Sequence, residues 1–379
     1  MLAGRTQTRL LEAGIDSPHS FKTAISLHCH TQHSKESFGF LSSCVSRMPV
    51  LSTWLTRVID AHRAETGRTI DVERSHWRPP LTAREVFESE VDQIIGTLGL
   101  EPLVSITDHD DIEASACLRV LHPASAIPIS LEWTVPFGIG FFHLGIHNLP
   151  PEYATPLAAE LRRYTERERG DLAELLSWIN AFPETLVVLN HPMWDIESIG
   201  RERHMASLLA FLVEYGDWIH AFEVNGYRRW PENQATLEMA EMLGYPVVAG
   251  GDRHAMPPNA VLNLTNALTF EDYAGELRHE RLSTVLLMPS YREHMYLRVL
   301  ESVADTLRYY PQFPEGKQHW GGRVYVCEGQ GIEKPLSSYW DRRAPGWLGS
   351  TIWLVCLLGS PRFRSALRLA LPMVEGTAL

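Results

Sequence analysis

The sequence predicts an α/β fold in which a mainly parallel sheet curls toward a closed barrel. Three observations predict it. Short apolar, β-branched runs recur along the chain, helical periodicities separate them, and seven or eight such units suit a closed barrel better than an open sheet. The runs lie at 24–29, 103–107, 127–132, 140–147, 186–190, 219–224 and 246–250, with a weaker eighth at 283–288. Between them, 81–97 opens with Thr82 and Glu85 in capping-box spacing. Segments 156–181, 205–215 and 232–243 carry apolar residues at three- and four-residue steps, the helical period. The pair at 127–147 is also readable as a local hairpin.

Two segments break the alternation. Residues 38–80 form a long insertion after the first strand, with an amphipathic stretch at 51–64 and a turn-rich end at 77–80. After about residue 290 the chain reads as a helix at 291–309, an irregular Gly/Pro/aromatic region and a final apolar helix. The expected division is a barrel over 20–290, with a helical insertion at 38–80, followed by a mainly helical extension at 291–379.

Composition narrows the function classes. Of 379 residues, 45% are hydrophobic and 21% charged, which is a packed globular chain rather than a disordered one. The excess of 46 Asp+Glu over 34 Lys+Arg gives a formal charge of −12, so a bulk grip on long nucleic acid is not expected. Cysteines at 29, 44, 117, 327 and 356 form no CxxC pair, and a reducing, cytoplasmic compartment fits them best. The first twenty residues lack the unbroken apolar core of a signal peptide. Residues 344–361 carry no charge and are followed by Arg362, Arg364 and Arg368. Interrupting Pro, Gly and Ser make a buried helix the expected reading there, with a membrane contact as the alternative.

The chemistry sits at the strand ends. His28 and His30 are two apart on a strand and project to one face, so Cys29 between them faces away. Later strands end in Asp108-His109-Asp110, Glu132, Asn190-His191 and Asp252-Arg253-His254, and one carries His143 with His147 four residues on. In a parallel barrel those ends converge on one face. Imidazoles and carboxylates without a thiolate suit borderline divalent ions such as Zn, Mn or Fe. So many candidates imply a polynuclear site, in which metals clamp a phosphoryl group and acidify water. Singly, HxH, Asp-His or Asn-His-Pro is more often packing, a cap or a turn. Five strand ends with the right residue types make coincidence a poor account.

With those residues in view, the chain resembles the PHP (polymerase and histidinol phosphatase) metallohydrolases. The segments that carry the resemblance are LHCHTQHS (27–34), ITDHDDIEA (106–114), LEWTV (131–135), FHLGIH (142–147), NHPMWD (190–195), FEVNG (222–226) and GGDRH (250–254), in family order. The resemblance implies a distorted (β/α)7 barrel of the PHP type with two or three divalent ions. It implies that His28, His30, Glu132 and Asp252 hold one ion, and that Glu132 bridges to a second shared with His143 and His191. His109 and His254 would hold a third. Asp108 would support the imidazoles from behind, while Asp252 and His254 would also orient or protonate.

The sequence departs from the family on the loop after His30. Many relatives carry an acidic residue where Lys35 stands in HTQHSKES, and the strand-leading Asp is replaced by Ser26. Either Glu36 or His33 supplies the missing ligand, with Lys35 turned away, or Lys35 points in and binds substrate phosphate; Glu36 is the expected ligand. Arg228 and Arg253 are candidate phosphate-binding residues because a guanidinium fork matches phosphoryl oxygens. Asn225, Tyr227 and Arg229 share that loop region, and Trp133, Trp194 and Trp230 either wall a pocket or pack. The expected activity is a metal-dependent phosphoesterase acting on a small phosphomonoester or nucleotide-like substrate. The alternatives are a short-oligonucleotide exonuclease, an ester or carbamate hydrolase on the same barrel, and a degenerate metal- or nucleotide-binding domain that supports a partner. The oligomeric state is left open.

Overall fold

In the computed structural model, residues 5–11, 20–38, 70–121, 127–167, 170–328, 332–339 and 346–370 are described, with 60, 63, 64 and 67. Short strands pair into three sheets, with eleven helices, among the described residues. One sheet runs in the order β1 (Arg5–Leu10), β12 (Leu282–Leu287), β11 (Val261–Thr265), β2 (Thr23–Ser26) and β5 (Glu101–Val104). A second runs β10 (Val247–Gly250), β9 (Ala221–Asn225), β8 (Leu186–Leu189), β7 (Gly140–Leu149) and β6 (Ile129–Phe137). The β2–β5, β8–β9 and β9–β10 pairs are parallel, whereas β6–β7 and β7–β8 are antiparallel. The segment left open as a hairpin is therefore one.

The expected single barrel ladder is not continuous among the described residues. The two five-stranded sheets touch instead at isolated parallel bridges, Cys29 with Arg253 and His109 with Glu132. The physical reason lies in the backbone at those seams. His28, Asp110 and Asp252 have φ of 63°, 52° and 57°, which is left-handed and incompatible with an extended ladder. Strands β2, β8 and β10 stop just short of His28, His191 and Asp252, whereas Glu132 and His143 lie inside β6 and β7.

Other boundaries shift for local reasons. The expected helix at 156–181 is two helices, Pro151–Thr165 and Leu172–Asn180. Gly170 breaks the run with φ of 142°, and the Asp171 carboxylate caps the second helix by accepting from the Ala173 and Glu174 amides. At Ala83–Gln93 the capping box forms as expected, Thr82 and Glu85 each accepting the other's backbone N–H. Around both sheets, apolar faces close over Trp133, Leu144, Leu189, Phe211 and Phe222, all buried.

The insertion and the extension differ most from expectation. Most of the 51–64 stretch lies outside the described residues. The later part of the insertion is a strand rather than helix, β4 (Ile70–Trp77), which is followed by an irregular end at 78–80 and pairs antiparallel with a strand of the extension. That partner, β13 (Val324–Glu328), forms a hairpin with β14 (Ile332–Pro335), while β3 (Glu36–Ser37) lines the other side of β4. Helices Met295–Leu307, Trp320–Arg323, Gly346–Leu358 and Pro361–Ala370 make up most of the remaining extension. None of the described helices is long and apolar enough to cross a membrane. The uncharged run is interrupted at Gly359 and Ser360, between two helices.

At the opposite ends of β8 and β9 from these seams, His220 ties helix to strand as a neutral ring. Its Nδ1 accepts from the Val187 amide at 2.9 Å, and its Nε2–H donates to Asn180 Oδ1 at 2.8 Å. Burial, helped by Arg278 and Arg281, lowers its pKa to about 3. Below the ordinary histidine value the unfolded chain therefore binds a proton that the folded chain refuses, so stability falls as pH drops from about 6.5. The expected loss is about 2 kcal/mol between pH 7.5 and pH 5, near 1.4 kcal/mol per unit below 6.5. Urea midpoints at the two pH values should converge by that amount in His220→Gln, which has no ring to protonate; an unchanged pH dependence would refute the assignment.

Candidate metal centre

The side chains of the centre are aimed by broken strands. His28, His191 and Asp252 all have positive φ, which costs on the order of 1–3 kcal/mol each for a non-glycine residue. Buried surroundings hold them there, as His28 and Asp252 exchange a backbone hydrogen bond at 2.7 Å from the Asp252 amide to the His28 carbonyl. Gly250 is needed beside them, since a Cβ at that position would overlap the Glu223 carboxylate.

All nine residues expected as ligands converge. They fall into four overlapping groups whose ligand atoms lie within 4.8 Å of one another: His30, Glu36, His109 and His254; His28, His30 and Glu132; His28, His191 and Asp252; His109, Glu132 and His143. Glu132 stands in the middle. Its Oε2 lies 3.1 Å from His28 Nε2, 3.4 Å from His30 Nε2 and 3.2 Å from His109 Nδ1. Its Oε1 faces His143 Nδ1 at 3.1 Å and His191 Nε2 at 3.2 Å. Asp252 Oδ1 lies 3.5 Å from both His28 Nε2 and His30 Nε2.

Most of these close approaches are not hydrogen bonds. His28 Nε2, His30 Nε2, His109 Nδ1, His143 Nδ1, Glu36 Oε1 and Glu132 Oε2 are buried without a hydrogen-bond partner. Each orphaned polar atom costs about 1–3 kcal/mol. Two ligands about 2.1 Å from one tetrahedral ion lie about 3.4 Å apart, so spacings of this kind fit a shared cation better than direct pairing. The donor set, imidazole nitrogens with carboxylate oxygens, fits a borderline divalent ion.

Behind the cluster, the other ring nitrogens are anchored. His28 Nδ1 is 2.7 Å from Glu223 Oε2, His30 Nδ1 is 3.1 Å from Ser34 Oγ, and His254 Nδ1 is 2.8 Å from the Asp252 carbonyl. Such contacts fix the tautomer and aim the free nitrogen. Glu223 was not singled out from sequence, although an acid inside the apolar strand FEVNG was the available signal. Asn225 joins it, donating through Nδ2 to Glu223 Oε1 and Asp252 Oδ2. Asp108 does not support an imidazole as expected. It accepts from the Thr31 amide at 2.6 Å and the Thr31 hydroxyl at 2.7 Å, because it lies one residue before His109 and faces the turn after His30.

Charge is strongly coupled here. For His28, burial opposes protonation, but Glu132, Glu223 and Asp252 together hold its pKa well above the ordinary value. Burial likewise opposes protonation of His109, yet Glu36 and Glu132 raise it to about 10. His30, buried and beside His254, falls to about 4, and burial brings His143 to about 4 despite Glu132. Glu36, Glu132 and Asp252 would be raised by burial, but facing imidazoles hold all three well below the carboxylate range. The three carboxylates thus stay ionised and hold positive charge beside them, here as protons on His28 and His109.

The expected anion-binding residues separate. Lys35 turns away, its half-exposed ammonium 2.9 Å from Glu333 Oε1 on β14. Glu36 turns in, with Oε2 at 3.0 Å from His254 Nε2 and 3.3 Å from His109 Nε2. His33 lies at the rim beside Glu113 and outside the four groups. Arg253 is buried on the far side, where Nη1 lies 2.6 Å from Glu90 Oε1 and Nη2 donates to the carbonyls of Ala255 and Met256. An expected phosphate-binding role for Lys35 or Arg253 therefore does not match their placement; Glu36, Asp252 and His254 take the inner side, and Lys35 and Arg253 face away from it. Arg228 does reach the centre: Nη2 is 3.8 Å from Asp252 Oδ2 and the guanidinium stacks 3.5 Å over Trp194. Trp133 is a packing residue, its indole N–H donating to the Leu161 carbonyl, and Arg229 pairs outward with Glu232.

Comparison with known proteins adds little beyond this geometry. No family model and no curated protein matches the chain at a significant level. Among solved structures, an amidohydrolase from Chromobacterium violaceum with bound sulfate aligns at 16% identity and a TM-score of 0.36, covering 61% of this chain and 87% of its own. PsfC from Pseudomonas syringae aligns at 14% identity and 0.38, covering 55% and 83%. A provisionally assigned metal-dependent phosphoesterase from Bifidobacterium adolescentis aligns at 16% identity and 0.32, covering 52% and 91%.

The two loop residues make a direct test. Glu36→Ala should lower the manganese or zinc retained after desalting, whereas Lys35→Ala should retain the wild-type amount and shift stability by less than about 1 kcal/mol, as for an exposed ion pair. Loading the wild type at 100 times its dissociation constant should add about 2.7 kcal/mol of stability, readable as a rise in Tm. Metal content by plasma emission that depends on Lys35 and not on Glu36 would reverse the assignment.

Proposed function

We propose that this chain is a metal-dependent hydrolase of the PHP class, a phosphoesterase acting on a small phosphomonoester or nucleotide-like substrate. The observation that carries the reading is Glu132, whose two carboxylate oxygens face different sets of histidines, as a bridging ligand between two ions requires. Support for the barrel comes from connectivity: β2, β5, β6, β7, β8, β9 and β10 follow one another through ladders, and the bridges at Cys29–Arg253 and His109–Glu132 complete the circuit. We read this as a distorted (β/α)7 barrel whose two weak seams were opened by the site itself.

His28, His30, Glu132 and Asp252 would hold one divalent ion, Glu132, His143 and His191 a second, and Glu36, His109 and His254 a further one. When bound, such ions supply Lewis acidity and bring water's pKa toward neutrality. The chain's own residues do the rest. Arg228, backed by the Trp194 face, offers its guanidinium to a phosphoryl oxygen at the edge of the cluster, where the stack limits its freedom before substrate arrives. Asp252, held by Asn225 Nδ2 on Oδ2, keeps its carboxylate oriented between Arg228 and the His28–His30 pair and can hold a proton-bearing group there. The His254 ring, locked through Nδ1, presents Nε2 on the opposite flank. Small substrates are favoured over long nucleic acid by the formal charge of −12 and by a cationic reach that, on this face, rests mainly on Arg228. A cytoplasmic setting suits the reduced cysteines.

Chelation should abolish hydrolysis of a generic phosphomonoester, and manganese or zinc should restore it. Arg228→Ala should raise KM more than it lowers kcat if the residue grips ground-state phosphate. A panel of phosphomonoesters, short oligonucleotides and carbamates identifies the substrate class. Turnover that survives complete metal removal, or a preference for long single strands that falls steeply with salt, would refute the proposal.

A further inference from the structure

The C-terminal extension reaches the metal centre through a sheet that is separate from the two large ones. Glu36 and Ser37 pair with Trp77 and His76 of β4, and β4 pairs in turn with β13 of the extension. The loop that carries Glu36 leaves His30 at one end and enters β3 at the other, so its shape depends on what holds those two ends. Tyr325 on β13 faces both holders. Its ring stacks on His76, the partner of Ser37, with centroids 5.1 Å apart and planes 9° apart. The Arg78 guanidinium lies 5.1 Å over the same ring and donates through Nη1 to the Gln32 carbonyl at 3.3 Å. The Arg78 amide is tied to the extension as well, donating to the Arg323 carbonyl at 2.9 Å. Trp77 adds a second connection, its ring packed 5.9 Å from His254.

We propose that the hairpin β13–β14 is a positioning element of the metal centre, acting through Tyr325 on both ends of the loop that carries Glu36. Tyr325 touches no candidate ligand. It holds His76, and so the register of Glu36 against β4, and it holds Arg78, and so Gln32 at the start of the loop. The half-exposed Lys35–Glu333 pair lies along the same edge and contributes little, as exposed pairs do. The extension on this view supplies part of the third ion's subsite without supplying a ligand. The proposal rests on the metal-hydrolase reading.

The test is a double-mutant cycle on the full chain, read as manganese binding by titration and plasma emission rather than as activity. Tyr325→Ala should weaken the last ion bound by roughly 10–100-fold, as loss of a supporting group does, and leave the tighter ions in place. Tyr325→Phe, which keeps the ring, should bind like wild type. In the Glu36→Gln background Tyr325→Ala should cost nothing more, because both changes remove one interaction. Wild-type binding by Tyr325→Ala, or losses that add in the double variant, would overturn the proposal. Should Tyr325→Ala fail to fold, Arg78→Met removes the guanidinium that joins Tyr325 to Gln32 and should weaken the same ion; unchanged binding there overturns it equally. Manganese uptake by no variant, wild type included, refutes the hydrolase reading, whereas equal uptake by all refutes only the role of the hairpin.

Discussion

The structure is organised around one buried carboxylate. Glu132 is almost fully enclosed, and an isolated charge there would carry a desolvation penalty of several kcal/mol. Five imidazoles from four chain segments offset it, with Asn190 Nδ2 donating to Oε1 at 3.0 Å. The same residue closes a seam of the fold. Its amide donates to the Asp108 carbonyl and its carbonyl accepts from the Asp110 amide, which joins β5 to β6 where no ladder does. Fold and site meet in one residue, the backbone closing the seam and the carboxylate gathering the imidazoles.

Alternation then decides which side chains do chemistry and which hold the frame. His28 and His30 face the cluster, and Cys29 between them faces Ser26 and Asn259. Asp252 and His254 face it, and Arg253 faces Glu90 behind. The hidden side forms a polar network of its own, with Glu90 accepting from Ser26, Arg253 and the Asn259 amide. Burial in this network raises the Cys29 thiol to about 12, so it stays protonated and is no nucleophile or ligand. A buried ion pair of this kind specifies one register for the segments it joins, because breaking it would leave a charge uncompensated.

The peripheral sheet has a different physical basis. β3 is two residues long and cannot hold a conformation by itself, so its position is borrowed from β4 and from the extension that pairs with β4. Glu36 is accordingly the candidate ligand whose placement depends on segments most distant in sequence. His28, His30 and Asp252, by contrast, are held by backbone hydrogen bonds between neighbouring strand ends.

Much of this was legible in the sequence, and the reason is periodicity. A two-residue alternation names the faces of a strand, so the pairing of His28 with His30 and the outward turn of Cys29 follow from spacing, and chemistry-bearing residues at successive strand ends point to one face; the full ligand set was implied by the family resemblance. The succession β2, β5 to β10 and β12 follows from the same patterns, whereas β1, β11 and the strands of the peripheral sheet were not expected. The sequence could also name Lys35 and Glu36 as rivals for one position, but their orientations depend on His109 and His254, which draw the Glu36 carboxylate inward and leave the Lys35 ammonium outside beside Glu333. Arg253 has the residue type for phosphate, yet its direction depends on which neighbours take the inner side. Glu223 carries no local motif, and its value comes from lying opposite His28 across two strands. The hairpin at 324–335 and its pairing with 70–77 joins segments that share no pattern. Local periodicity is written along one chain, whereas the partner across a sheet is set by packing among segments that sequence order does not relate, and only the tertiary structure decides it.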